Sequence, residues 1–408
     1  MRRVLASVGI AIVTVGLMAA SAPSSTAAAP RAVMYVGNNW DGTVDVVDPV
    51  TLHVLKRINI IPDKLQRNIE ILLNPAASAF FLAIRSQIGQ GHDQFTDDMF
   101  STTDGKLLAV SRPSYADVVG VNIATGKIVW RAKMDSYRAD HMALSPDGNR
   151  ILVSDSLANV VHEIDIHTGA KLRKFTSGDS PHESNYSPDG SLIYHASIGR
   201  IYTPTDPSVF CPLTDPTKGQ QYFQVVDNAT FAIVKRWDIG KKLAEAGYPC
   251  MSSAVRPMAI APDQRFAYLQ VSFFHGYVVF DMLLEKIVQV VPLFNAVPTL
   301  PKYRYILNSA HHGLAMNAAG TRLCAAGTMD DYVAIVDRAS TLTAYLPAGH
   351  VPYWSTNDPT GTKCWVSLAE DNRVVVVDYT TASIVGYVAV GRHPQRIRAG
   401  VIDSALVP

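Results

Sequence analysis

The sequence predicts an all-β fold, a seven-bladed β-propeller whose ring is closed by pairing a C-terminal strand with the N-terminal blade. Three observations predict it. A unit of strands and turns ending in an acidic or amide residue recurs seven times, the spacing inside the unit is the same in five of them, and the first unit lacks its opening strand. Each unit opens on a turn of the Ser145-Pro146-Asp147-Gly148 type. Two apolar strands follow, the second ending in Asp or Asn, and then a turn such as His167-Thr168-Gly169-Ala170-Lys171. The strand-ending residues are Asp48, Asn122, Asp165, Asp227, Asp281, Asp337 and Asp378. Gly105 to Asn122, Gly148 to Asp165, Gln264 to Asp281, Gly320 to Asp337 and Gly361 to Asp378 each span 17 positions, and only Gly190 to Asp227 differs, at 37. A period of about 40 residues with four short strands is that of a propeller blade, which buries its two faces only by stacking on its neighbours.

Taken in order, residues 1–30 read as a signal peptide. Arg2 and Arg3 precede an apolar run from Val4 to Ala20, and small residues follow at Ala20-Ser21-Ala22 and Ala27-Ala28-Ala29. An uncleaved N-terminal anchor is the alternative. Residues 31–408 form one propeller domain, secreted or extracytoplasmic, and no later segment is apolar for long enough to cross a membrane as a helix. Counting back from Asp48 by the repeat spacing reaches Arg31, so the first blade has no first strand of its own. Pro394 to Val401 can supply it, which removes the exposed sheet edges. Residues 59–96 are an insertion. An irregular second blade using 69–84 is the alternative, because Leu73-Asn74-Pro75 followed by Phe80-Phe81-Leu82-Ala83-Ile84 resembles a turn and strand. Residues 197–221 form a second insertion, stiffened by Pro204, Pro207, Pro212 and Pro216 and carrying Tyr202 and Phe210, either as a lid or as loop packing.

Composition narrows the function. Hydrophobic residues make up 48% of the chain and charged residues 17%, so a substantial core is expected. The net charge of +1, from 36 Lys+Arg against 35 Asp+Glu, argues against a nucleic-acid partner and against a polybasic membrane anchor. Four cysteines are too few for a disulfide-framework protein. Cys211 and Cys250 lie in adjacent long loops and are expected to bridge. Cys324 and Cys364 lie one residue out of phase on equivalent second strands, and are expected as free buried thiols.

Tyr35-Val36-Gly37-Asn38-Asn39 followed by Val44-Asp45-Val46-Val47-Asp48 resembles the YVTN-type propeller repeat, and the chain resembles the extracytoplasmic YncE-like group over nearly all of 31–401. A Gly-His…Trp-Asp pattern is absent, which argues against WD40 repeats. The resemblance implies a seven-bladed propeller and no single activity, since the fold hosts lyases, lactonases, electron-transfer subunits and binders.

Alternating strand direction puts the Ser-Pro-Asp-Gly and Thr-Gly-Lys turns at one end of every blade, the bottom. The long connections, both insertions among them, lie at the other end, the top. The innermost strands start at the top, so their first residues ring the mouth of the central channel. Asp97, Asp140, His182, Arg256, His312, Tyr353 and Gln395 occupy one ring position, and Asp98, His141, Glu183, Pro257, Gly313, Trp354 and Arg396 the next, with His311 just before the ring. His141, His182, His312 and Glu183 are the candidate acid–base residues. The histidines with Glu183 also form a possible set of ligands for a divalent metal. Arg256 and Arg396 suit an anionic group, Tyr353 and Trp354 a planar one, and Asp140 and His311 complete the candidate ligand contacts. A lone histidine beside such a turn more often just bonds backbone. His195 is expected in packing, and His53, His162 and His167 away from the mouth. Three functions follow: a monomeric binding propeller for a small molecule or cell-envelope partner, a lyase, isomerase, cyclase or lactone hydrolase, or an electron-transfer partner. The last is lowered by the absence of a haem-attachment motif.

Overall fold

The computed structural model describes residues 29–200, 211, 213 and 215–408. Those residues form seven four-stranded antiparallel sheets in a ring, a seven-bladed β-propeller. The inner strands, in blade order, are Pro394–Ile402, Met99–Ser101, Ala139–Leu144, Pro181–Tyr186, Val255–Ile260, Leu314–Met316 and Pro352–Asn357. Each neighbours the next around the central channel, and the seventh returns to the first. Blade one is closed as the repeat count implies, with Arg31–Asn38 pairing antiparallel with Pro394–Ile402, Tyr35 opposite Arg398 and Val36 opposite Ile397.

The repeat residues build the bottom turns. Asp165 Oδ1 accepts the backbone N–H of His167 at 2.9 Å and of Thr168 at 2.8 Å, and Asp378 Oδ1 does the same for Thr380 and Thr381. These are Asx turns, and they explain why the strand must end on a short acceptor side chain. Gly148 ends its turn at φ 71°, where a side chain is unfavourable, yet Gln264 takes that place at φ 55°. Third strands are buried on both faces, as Val374 to Val377 show. Outer strands alternate, as in Ser383–Ala389, because only one face touches a neighbour.

One alternative falls and one expectation is corrected. The 69–84 stretch forms no blade strands: Lys64–Leu72 and Pro75–Gln87 are two helices. Asn74 is an N-cap that accepts from the N–H of Ala77 at 3.1 Å, and Pro75 takes the first helical position. Ala77, Phe81 and Ile84 then face the core at helical spacing, a periodicity hidden inside a continuous apolar run. Cys324 and Cys364 form a disulfide, with Cα atoms 6.5 Å apart. Their side chains do face opposite sides of their own sheets. The sheets stack, so those two sides meet between blades six and seven, where both residues sit in one core cluster. Cys211 and Cys250 are bridged as expected, with Cα atoms 5.6 Å apart. Two disulfides suggest an oxidising, extracytoplasmic environment. The expected signal peptide and most of the proline-stiffened loop, with Tyr202, Pro204, Pro207, Phe210 and Pro212, lie outside the described residues. Among the described residues no single helix is long and apolar enough to cross a membrane.

Candidate functional site

The ring positions converge through a shared backbone irregularity. Inner strands one, three, four, five and seven each carry a β-bulge there. Ala139 pairs with Asp155 but Met142 pairs with Val153, and the same extra residue falls between Pro181 and Ser184, Val255 and Met258, and Pro352 and Ser355. A bulge re-aims the side chains of the residues it inserts. Sequence reasoning missed the residues that bond each second strand to the neighbouring blade at this level. The fifth position of the second strand carries Ser111, Ser154, Gln270 and Ser367. Ser154 Oγ donates to the carbonyl of His182 at 2.7 Å, Ser367 Oγ to that of Gln395 at 2.7 Å, and Gln270 Nε2 to that of Gly313 at 3.0 Å. Their recurrence at one place in an otherwise apolar strand was the available signal.

The ring splits the sequence-predicted residues into three places. Asp97, Asp140, His141, His182, Arg256, His312, Tyr353, Gln395 and Arg396 surround one enclosed cavity at the top of the channel, joined there by Arg138. Glu183 and Trp354 line the channel below it instead. His311 lies outside both, in a buried network with His275 and Asp330. His275 Nδ1 and His311 Nε2 lie 2.7 and 2.8 Å from the same oxygen of Asp330, and Tyr305 O–H lies 2.8 Å from His275 Nε2. Those lengths suit two imidazoles donating to one carboxylate, which is a structural tie between blades.

The top cavity is small, about 20 Å³, and roofed by Ile88 and Gln94 of the 59–96 segment and by Leu307. It has room for a water-sized species. Leu307 holds a left-handed conformation at φ 48° and ψ 32°, and its carbonyl accepts from Arg256 Nη2 at 2.7 Å. A leucine in that conformation is strained, and the bond to Arg256 ties the strained residue to the hub. The imidazoles of His141 and His182 lie 3.9 Å apart, and His312 stacks on Tyr353 at 4.4 Å. Arg396 touches His141 Nε2, lies 3.9 Å from Asp97 and covers Trp354 at 4.1 Å. Both aromatic rings are therefore already stacked by protein groups.

Four guanidiniums meet four carboxyls in this hub. Arg138 lies 3.2 Å from Asp140, and Arg398 donates twice to Asp98, at 2.8 and 2.7 Å. Arg256 donates to Ser272 Oγ at 2.7 Å. Burial pushes Asp97 up to about 7 against the pull of Arg396, and pushes Glu183 up to about 7. Burial, with guanidinium charge added, holds His141, His182 and His312 well below the ordinary histidine range, so all three are neutral near pH 7. Glu183 accepts the backbone N–H of Met258 at 2.9 Å.

Ligand atoms of Asp97, Asp140 and His141 lie within 4.8 Å of one another, the spacing of a metal centre. They fit a cation poorly, because Arg396 already contacts His141 and Arg138 already pairs with Asp140. The three histidines with Glu183 fit no better, since Glu183 faces the channel below. The cavity suits a small polar or anionic species better. Asp97 Oδ2, Gln395 Nε2, Arg396 Nε and Nη1, and the Nδ1 atoms of His141, His182 and His312 are buried with no hydrogen-bond partner among the described residues. Native interiors satisfy nearly all such groups.

No described protein family matches the sequence, and no curated protein is similar to it. Among solved structures, the chain is similar to one of hydrazine synthase from Kuenenia stuttgartiensis, with a TM-score of 0.55 and 16% sequence identity, over 76% of this chain and 96% of that one. At that identity the likeness shows the fold alone, a β-propeller.

Proposed function

We propose that this is a secreted or extracytoplasmic binding propeller, with residues 1–30 as its export signal, that holds a small polar or anionic molecule at the top of its hub. The observation that carries the reading is the set of seven buried polar atoms, without a hydrogen-bond partner among the described residues, around one enclosed cavity. Each such atom costs about 1–3 kcal/mol, so a bound species that satisfies several of them is strongly favoured. Arg256 and Arg396 supply the anion contact, and His182 and His312 the neutral donors. A ligand larger than a water molecule enters only if the Leu307 segment moves. The hub is electrically balanced when Asp97, Asp98, Asp140 and Glu183 are all ionised. It gains positive charge as Asp97 takes a proton near pH 7, so anion binding strengthens as the pH falls through that range.

An enzyme is the second reading, a lyase, isomerase, cyclase or lactone hydrolase. It is favoured by a carboxyl that titrates near neutrality beside three neutral imidazoles, the pairing that general acid–base catalysis uses. Thermal-shift titration with formate, acetate and phosphate tests the first reading. Stabilisation by at least one anion is expected, lost in His182→Ala and His312→Ala. If both variants respond as the parent does, the hub is not the binding site. Chemical change of a bound ligand, followed by mass spectrometry, separates the second reading from the first.

A further inference from the structure

Below the hub the channel widens into a second cavity of about 690 Å³ that opens at the bottom face. The plugged top makes it a blind pocket of a size that suits an organic ligand. Its floor carries Glu183 and Trp354, with Arg398 beside them, and Met258, Ile260, Leu314 and Met316 line its sides. Apolar side chains along a wall that water would otherwise fill favour an apolar occupant.

The repeat shows what the polar end of that occupant should be. Asp98 and Glu183 hold the same position in blades two and four. Each accepts a backbone N–H from the inner strand of the following blade in space or in chain, Asp98 from Met142 at 2.9 Å and Glu183 from Met258 at 2.9 Å. Asp98 also has its own cation, Arg398, bonded through two nitrogens. Glu183 has no ion pair among the described residues. Its other contact is the amide of Asn185, at 3.3 Å. Arg398 is committed to Asp98 and lies between Phe100 and Trp354, 5.0 Å from each ring. A buried carboxylate is normally paired directly with a cation, and among the described residues Arg398 and Arg396 act on Glu183 only at a distance, without a direct ion pair.

We propose that the bottom pocket binds an amphipathic organic amine, its ammonium group on Glu183 and its apolar body along Met258, Ile260, Leu314 and Met316. This goes beyond the hub reading and does not depend on it. The high proton affinity of Glu183 fits, because an arriving ammonium ion would displace the proton that burial otherwise retains.

Isothermal titration of the full mature chain with hexylammonium, hexanol and hexanoate tests it. Hexylammonium is expected to bind, hexanol more weakly and hexanoate weakest. Near neutral pH the enthalpy with hexylammonium should vary with the ionisation enthalpy of the buffer, reporting proton release. Glu183→Gln keeps an acceptor for the N–H of Met258, and should weaken hexylammonium about 10-fold or more and abolish the buffer dependence. Ile260→Trp, which narrows the pocket without touching Glu183, should weaken hexylammonium and hexanol alike. Equal binding of hexanoate and hexylammonium, or a Glu183→Gln variant that binds the amine as the parent does, would overturn the proposal.

Discussion

The two ends of the central channel are built by the same seven strands and differ in almost every physical respect. At the top, the first residues of the inner strands pack Arg138, Arg256, Arg396 and three neutral histidines around a cavity of about 20 Å³. A few residues further along, the same strands present Met258, Ile260, Leu314 and Met316 to an open pocket of about 690 Å³. The bulges mark the border: above them lie the buried charged and imidazole groups of the hub, and below them Met258, Ile260, Leu314 and Met316 share the wall with Asn185, Thr356 and Asn357. A repeat fold thus confines costly polar burial to one layer, where inter-blade hydrogen bonds from Ser154, Gln270 and Ser367 hold the backbone. The bottom face is standardised by contrast, with interchangeable short turns.

The border between the two ends is the first place to break the comparison. Arg398→Met leaves Asp98 buried with only the N–H groups around it, and should cost about 3–5 kcal/mol in denaturant unfolding. A loss within the range of an exposed ion pair would mean that the layer is wet and not a sealed partition. Next comes the pH response. The ordinary value for Glu183 is 4.5, and it rises to about 7 in the folded chain. The folded state therefore binds more protons than the unfolded one between those values, so this group's contribution to stability falls as the pH rises through that window. The depressed histidines act with the opposite sign below their ordinary range. The difference between Glu183→Gln and the parent isolates the carboxyl: the variant should gain on the parent by up to about 3 kcal/mol from acid to neutral pH. A constant difference would place Glu183 in contact with bulk water. The smallest effect tests the bottom face. Ala382 holds φ 48° in the place that Gly126 and Gly169 take in blades two and three, so Ala382→Gly should stabilise the protein by about 1 kcal/mol.

Much of the fold was legible because the turns are chemical. Asp165 and Asp378 must accept the N–H groups of their own turns, and this fixes both identity and spacing. Ring closure was legible by counting from Asp48. The helices at 64–87 were not, since a run of apolar residues after Asn74-Pro75 serves a strand as well as a helix until its partner surface is known. The Cys324–Cys364 bridge was not legible, because strand phase gives the side each thiol faces but not which sides of stacked sheets meet. At the hub, position alone brought His141, His182, His312, Arg256 and Arg396 together. Which side of the layer Glu183 and Trp354 would face depends on the bulges, and a one-residue bulge leaves no mark in a strand's composition.

A crystal structure of the natively purified protein, refined to a resolution that separates water from heavier or polyatomic species, tests the hub most directly. The expected result is density for a small polar or anionic species bonded to Arg396 and to at least one of His141, His182 and His312. A hub in which ordered waters alone complete every one of those hydrogen bonds would contradict it.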